Sequence, residues 1–298
     1  MDVRAKTVDV MGLRTRVLIE ESAARAADRG AVPRTAVVQI HGVGGWAENW
    51  REVMAPIAAS GRIAIAVDLP GFGESEAPGR VPYFGPQNAF YPHWTIALLD
   101  ELGIERAHLV GNSMGGAVPY MTAVSAPERV RSLTLAASGG LGTDIALFLR
   151  IATLPGTITL AKLFGRPRQG RDVLRTCFFD HARIPATLYA ESERYGFTSY
   201  PEFVRALRHG VSIRGVKRPL RAHWVAQAAR YRGPVLVVWG REDAVLPISH
   251  LQDSKAVFPQ AEVRVIERCG HLPMVERTEE YLAAFLPYID RAEAAMAA

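Results

Sequence analysis

Ala107-His108-Leu109-Val110-Gly111-Asn112-Ser113-Met114-Gly115-Gly116 is the stretch whose reading decides the fold of this chain. A short apolar run of strand type stops at Gly111, Ser113 follows inside a G-x-S-x-G pattern, and an Ala/Val/Tyr/Met segment of helical type begins at once. Strand, sharp turn and helix lift a serine hydroxyl above a sheet edge. The turn needs small neighbours because its central residue is strained, hence Gly111 and Gly115. Such a hydroxyl becomes a nucleophile only beside a base, facing backbone N–H groups that take up the charge of a tetrahedral intermediate. The pattern recurs by chance, so three companions are required: an oxyanion loop upstream, then an acid, then a histidine, each just after a strand.

The 298 residues, 49% hydrophobic, suit one large α/β domain or a domain with a lid. Cys177 and Cys269 have neither metal-type nor disulfide-type spacing and read as buried small apolar residues in a reducing compartment. The N-terminus Met1-Asp2-Val3-Arg4-Ala5-Lys6 lacks the apolar core of a signal peptide, and no run of about 18 uncharged apolar residues occurs. A cytoplasmic protein without membrane attachment is the expectation. The net charge of +5 is uneven, with sixteen Lys and Arg against six Asp and Glu between residues 139 and 232 and an acidic frame around them. That basic segment is either a solvated helical face or a device that draws in an anionic substrate. No nucleic-acid motif accompanies it.

Alternation over Thr7–Val10 and Leu13–Glu20, around Met11-Gly12, predicts an opening antiparallel hairpin, and Ser22–Arg34 an exposed excursion. Thr35–Ile40 and Ile63–Val67 read as strands buried on both faces, followed by His41-Gly42-Val43-Gly44-Gly45 and Asp68-Leu69-Pro70-Gly71. Helices are predicted over Trp50–Ser60, Asn88–Leu102 and Met114–Ser125, the last with a kink or tight start at Pro119. After the strand Arg131–Ser138 the alternation stops. From Gly139 to Arg232 short helical patterns are broken by Gly and Pro, which is a helical cap rather than one long loop. Strands return at Pro234–Gly240 and Glu262–Ile266, with helices at Ile248–Phe258 and from Thr278 to about Met296.

Ser113, Asp243 and His271 each follow a predicted parallel strand, in the order nucleophile, acid, histidine, which places them at the carboxyl edge where open α/β sheets bind ligands. Here the sequence resembles the α/β-hydrolase superfamily. The resemblance rests on His41-Gly42-Val43-Gly44, on Asp68 to Ser75, on Gly111-Asn112-Ser113-Met114-Gly115-Gly116, on Gly240-Arg241-Glu242-Asp243 and on Gly270-His271. It implies an α/β-hydrolase fold: a mostly parallel eight-stranded sheet flanked by helices, formed by residues 1–138 and 233–298, with residues 139–232 inserted as the cap. In that arrangement His271 is the general base and then acid, and Asp243 fixes its tautomer. The N–H of Met114 and, by the resemblance, that of Val43 form the oxyanion hole. His41 and Asp68 read as structural, while Gly42, Asn112, Arg194 and Leu272 stand as candidate substrate contacts.

An Asp in place of Ser113 would have pointed to epoxide or haloalkane hydrolysis; a serine points to acyl transfer to water. The elbow, Gly139-Gly140-Leu141-Gly142 and Cys177-Phe178-Phe179-Asp180 look like the carbon–carbon bond hydrolases of aromatic ring-fission products, where a cap arginine, here in the region of Arg194, binds an anionic substrate. That family usually has Trp after the histidine, where this chain has Leu272. The main expectation is therefore a cofactor-free, metal-free hydrolase of small to medium carboxylic esters through an acyl-enzyme on Ser113. Carbon–carbon cleavage of a vinylogous diketone acid is the alternative. A silent small-molecule receptor belongs to another class, and perhydrolysis is open to the same machinery. The expected partner is a small ester or acyl compound, anionic if the cap draws it in; a homo-oligomer is compatible with the sequence.

Overall fold

The computed structural model describes residues 3–22, 35–86, 89–164, 168–196 and 198–297. Most of the predicted Ser22–Arg34 excursion therefore lies outside the described residues. The chain opens with β1 (Arg4–Val10) and β2 (Leu13–Glu20), paired antiparallel around Met11 and Gly12, both at positive φ. There follow β3 (Ala36–Ile40), α1 (Arg51–Ala59), β4 (Ile63–Val67), α2 (Phe90–Glu101), β5 (Ala107–Asn112), α3 (Met114–Ser125) and β6 (Val130–Ala136). The cap contributes α4 (Leu147–Ala152), α5 (Thr157–Phe164), α6 (Arg168–Thr176), α7 (Ala186–Tyr195), α8 (Tyr200–Gly210) and α9 (Arg218–Gln227). Between its last two helices lies a small antiparallel ladder, β7 (Val211–Ser212) with β8 (Gly215–Val216). The sequence predicts helices over residues 139–232 and does not anticipate that ladder, in which Gly215 takes φ +97° and Val216 N–H donates to Thr143 O at 2.9 Å. The core resumes with β9 (Val235–Gly240), α10 (His250–Val257), β10 (Glu262–Ile266), α11 (Pro273–Glu276) and α12 (Thr278–Ala297).

The eight-stranded sheet runs β1-β2-β4-β3-β5-β6-β9-β10, antiparallel where β2 meets β1 and β4 and parallel elsewhere. Parallel strands covered on both faces need apolar residues at every position, and β3, β4, β5 and β9 are buried throughout. Alternate side chains divide between two cores. Val38, Leu109 and Val237 pack with Trp94 and Tyr120 on one face, and Val37, Val110 and Val238 pack with Trp50 and Phe285 on the other. The order reverses at β3, with β4 on one side and β5 on the other, so the loops after β3 and β5 border the crevice of such a switch point. Pro119 sits inside α3, which continues past it. The ring removes the N–H that would have met Gly115 O, the carbonyl packed against Gly111.

The C-terminal helix is fastened across the sheet by charge. Arg62, 4% exposed, donates to Glu293 (Nε to Oε1, 3.0 Å) and to Asp290 at 2.6 Å, and His108 reaches Glu293 at 3.1 Å. Burial raises the Glu293 carboxyl, but the hydrogen bonds from His108 and Arg62 outweigh it and hold the group down to about 2. A carboxylate depressed in the fold stabilises it above the ordinary pKa and loses that contribution as pH falls toward 2. Glu293→Gln is expected to lower stability by about 2 kcal/mol at pH 7. In denaturant titrations at several pH values the gap to the parent protein should narrow between pH 4.5 and 2.

Candidate active site

Ser113 adopts φ +57° and ψ −126°, a backbone state that L residues avoid, directly between β5 and α3. The turn is held closed by its own chain: Ser113 O accepts from Gly139 N at 2.7 Å and Gly116 N at 2.9 Å, and Ser113 N donates to Ala136 O and Ala137 O, each at 3.1 Å. Glycine is obligatory around it because a Cβ on Gly111 would overlap the Gly115 carbonyl, and one on Gly115 would overlap that of His41.

Asp243 and His271 follow β9 and β10 on the same sheet edge. His271 Nδ1 lies 2.8 Å from Asp243 Oδ2, and Asp243 Oδ1 accepts from the N–H groups of Val245 and Leu246 at 2.8 and 2.9 Å. The carboxylate is thus oriented by backbone, and the imidazole by the carboxylate. His271 Nε2 is buried, has no hydrogen-bond partner among the described residues, and belongs with Ser113 to the lining of one cavity. A bond between nucleophile and base often closes only when substrate fills the site.

That cavity, of about 410 Å³, is bounded by the loop Gly42-Val43-Gly44-Gly45 and by Asn112, Leu272 and cap residues that include Phe148, Leu174 and Phe203. A second void of about 90 Å³ meets it at Val43 and Ser113 and contains Met114 but not His271 in its wall. Ser113 therefore borders both compartments, and His271 only the larger of the two. Met114 occupies the first position of α3, where backbone N–H groups have no intrahelical acceptor, and Val43 lies across from it. His41 shapes the Val43 loop from below: its Nε2 accepts from Leu69 N at 2.9 Å and its Nδ1 lies 2.7 Å from Gly42 O. Burial lowers its pKa and keeps the ring neutral. Asp68 is equally structural, accepting from Ala47 N at 2.7 Å and Glu74 N at 2.9 Å.

The candidate substrate contacts divide. Gly42 and Leu272 line the larger cavity, and a Cβ on Gly42 would lie 2.9 Å from Ser113 Cβ, so bulk there would crowd Ser113. Asn112 also borders the cavity, but its amide is engaged, donating to His271 O at 2.9 Å and Ala136 O at 3.1 Å. The structure does not bring Arg194 to the cavity: its side chain is 67% exposed and pairs with Glu74 at 3.2 Å. Five further arginines between residues 139 and 232 are engaged as well. Arg150 donates to Ile145 O, Arg208 to Thr153 O, Arg205 to Val81 O and Arg221 to Asp253, and Arg171 pairs with Glu193. Cys177 lines the cavity, yet burial and then the charge of Asp243 push its thiol up to about 12, which leaves it un-ionised and unreactive.

Sequence reasoning missed Glu276. Its buried carboxylate accepts from Gly270 N at 2.7 Å, Asp180 N at 2.6 Å and Phe179 N at 3.2 Å, joining the histidine loop to the cap. The only local signal is a lone acid in the apolar run Leu272-Pro273-Met274-Val275 that follows His271.

A family model described as the alpha/beta hydrolase fold matches residues 35–278. The chain belongs to the α/β hydrolase fold family. Within this family it is 31% identical over 261 residues to a 2-hydroxy-6-oxo-6-phenylhexa-2,4-dienoate hydrolase of Burkholderia cepacia, covering 85% of this chain and 87% of that protein. It is equally similar, at 31% over 261 residues with the same coverage, to a 2-hydroxy-6-oxononadienedioate/2-hydroxy-6-oxononatrienedioate hydrolase of Comamonas testosteroni. Among solved structures, a 2-hydroxy-6-oxo-6-phenylhexa-2,4-dienoate hydrolase from a Rhodococcus strain superimposes with a TM-score of 0.76 at 24% identity, over 97% of this chain and 99% of that one. That likeness shows the fold.

Asp243→Asn keeps an oxygen for the Val245 and Leu246 N–H groups but presents an amide to His271. The variant is expected to melt within a few degrees of the parent protein. Labelling of Ser113 by a fluorophosphonate should slow by about 10³- to 10⁴-fold.

Proposed function

We propose that this α/β hydrolase cleaves a carbon–carbon bond beside the ketone of a vinylogous diketone acid formed by aromatic ring fission. What supports this over the ester reading is its similarity, across 85% of the chain, to two relatives named as hydrolases of such dienoates, on a site whose parts suit acyl transfer. Ser113 Oγ attacks the ketone carbon and its proton passes to His271 Nε2. The oxyanion lies against the N–H groups of Val43 and Met114, and loss of one such donor typically costs about 3 kcal/mol of transition-state stabilisation. Collapse breaks the carbon–carbon bond. The departing fragment leaves as a vinylogous enolate, which takes the proton back from His271. Water, deprotonated by the same imidazole, then releases the acyl group as a carboxylic acid. The base faces only the 410 Å³ compartment, so the leaving fragment belongs there, and the acyl arm belongs in the 90 Å³ compartment beside Met114. Side chains and backbone amides suffice for this chemistry, so the reading calls for no cofactor.

Ester hydrolysis by the same steps is the second reading, and two observations favour it. Leu272 stands where the resembling family has Trp, and the larger compartment includes Asp172 but no Lys or Arg among its described lining residues to meet a carboxylate.

One panel separates the two. Purified protein and Ser113→Ala are given a yellow ring-fission dienoate and p-nitrophenyl esters from acetyl to octanoyl. The expected outcome is Ser113-dependent bleaching of the dienoate with kcat/KM at least a hundredfold above any ester. Indifference to the dienoate with rapid ester turnover would transfer the assignment to the second reading.

A further inference from the structure

The smaller compartment is mostly apolar, walled by residues such as Phe84, Ala117, Met121, Leu149 and Leu207. Besides Ser113 and Arg221, three side chains with polar atoms stand in its wall: Tyr120 from α3, Trp224 from α9 and His250 from α10, which are 0, 5 and 2% exposed. Tyr120 Oη, Trp224 Nε1 and both ring nitrogens of His250 are buried without a hydrogen-bond partner among the described residues. Arg221 stands in the same wall. Its guanidinium is engaged by other groups, Nε donating to Leu141 O and Nη2 to Asp253 at 3.1 Å. Native proteins leave few buried polar atoms unsatisfied, and four of them around one small void call for a ligand group that completes them.

Size restricts that group. A dry cavity of about 150 Å³ is known to take up benzene, and a water occupies about 30 Å³ of the liquid. At about 90 Å³ the void is smaller than that cavity and suits a short chain better than a phenyl ring. Tyr120 and Trp224 supply donors. His250, kept neutral by burial, supplies one more donor and one acceptor.

We propose that the compartment walled by Tyr120, Trp224 and His250 is an acyl-arm subsite for a short, non-aromatic chain that ends in a hydrogen-bond-accepting oxygen. The proposal rests on the acyl-transfer reading, in that it takes the group retained on Ser113 to be the one facing Met114. It separates the substrate of this chain from the 6-phenyl compounds named for two of the proteins it resembles.

The test uses two acyl arms of one shape. The levulinyl arm carries a ketone oxygen where the 4-methylpentanoyl arm carries a methyl group. Their p-nitrophenyl esters are compared in kcat/KM after correction for hydroxide-catalysed hydrolysis, together with the butyryl and benzoyl esters. Binding of levulinate and 4-methylpentanoate to Ser113→Ala is measured by calorimetry, which needs no turnover. The expected result is at least a tenfold preference for levulinyl in both measurements and at least a tenfold advantage of butyryl over benzoyl. Tyr120→Phe, which removes only an unpartnered hydroxyl, should bring the levulinyl preference within about twofold, and Trp224→Phe, which removes the indole N–H together with part of its ring, should lower that preference as well. Equal treatment of the two arms by the parent protein, as expected if water alone satisfies these atoms, overturns the proposal, as does a faster benzoyl ester. Failure of acyl transfer itself would show as absence of all ester turnover and of fluorophosphonate labelling. In that event the two acids still decide the subsite, and equal binding of both would end it.

Discussion

The site depends on how closely α3 is allowed to approach the sheet. Three glycines make that approach possible: a single methyl on Gly111 would strike the Gly115 carbonyl, one on Gly115 the carbonyls of Ile40 and His41, and one on Gly116 the Ser138 side chain. With backbone against backbone, the chain can reverse at Ser113 only through a left-handed residue, so the serine is carried above the strand ends. The first N–H of the helix is thereby brought to the side of the Val43 loop. The constraint is one of packing, and the chemistry is its by-product.

The opposite half is fixed by hydrogen bonds to the backbone of the histidine itself. His271 N donates to Cys177 O at 2.7 Å, His271 O accepts from the Asn112 amide, and the ring is held by Asp243. Close contact between Gly240 and the Cys269-Gly270 backbone places the acid strand beside the histidine loop. Donors and dipoles that are set before substrate arrives need no reorganisation during reaction, which is where most electrostatic catalysis originates.

The features legible in the sequence are those set by neighbours along the chain. The strand Ile63–Val67 is found where its residues predict it, because a buried apolar run bracketed by Gly61 and by Asp68-Leu69-Pro70-Gly71 admits few other registers. The order of Ser113, Asp243 and His271 is visible because each sits in turn chemistry of its own. The cap is different. Arg194 looks available for a ligand until Glu74, 120 residues away, is folded against it. The ladder Val211–Val216 is too short to leave an alternating pattern. Asn112 lies within the recognised motif, yet its partner is a carbonyl 159 residues further on. Tyr120, Trp224 and His250 come from three helices, and no local pattern records that they converge.

Glu276 makes two distant segments of the chain depend on one carboxylate. One side chain grips two consecutive peptide groups of the insertion and one peptide group of the segment bearing the imidazole. Displacing that margin of the insertion would therefore also release Gly270, the residue next to His271, so the two segments keep their places together.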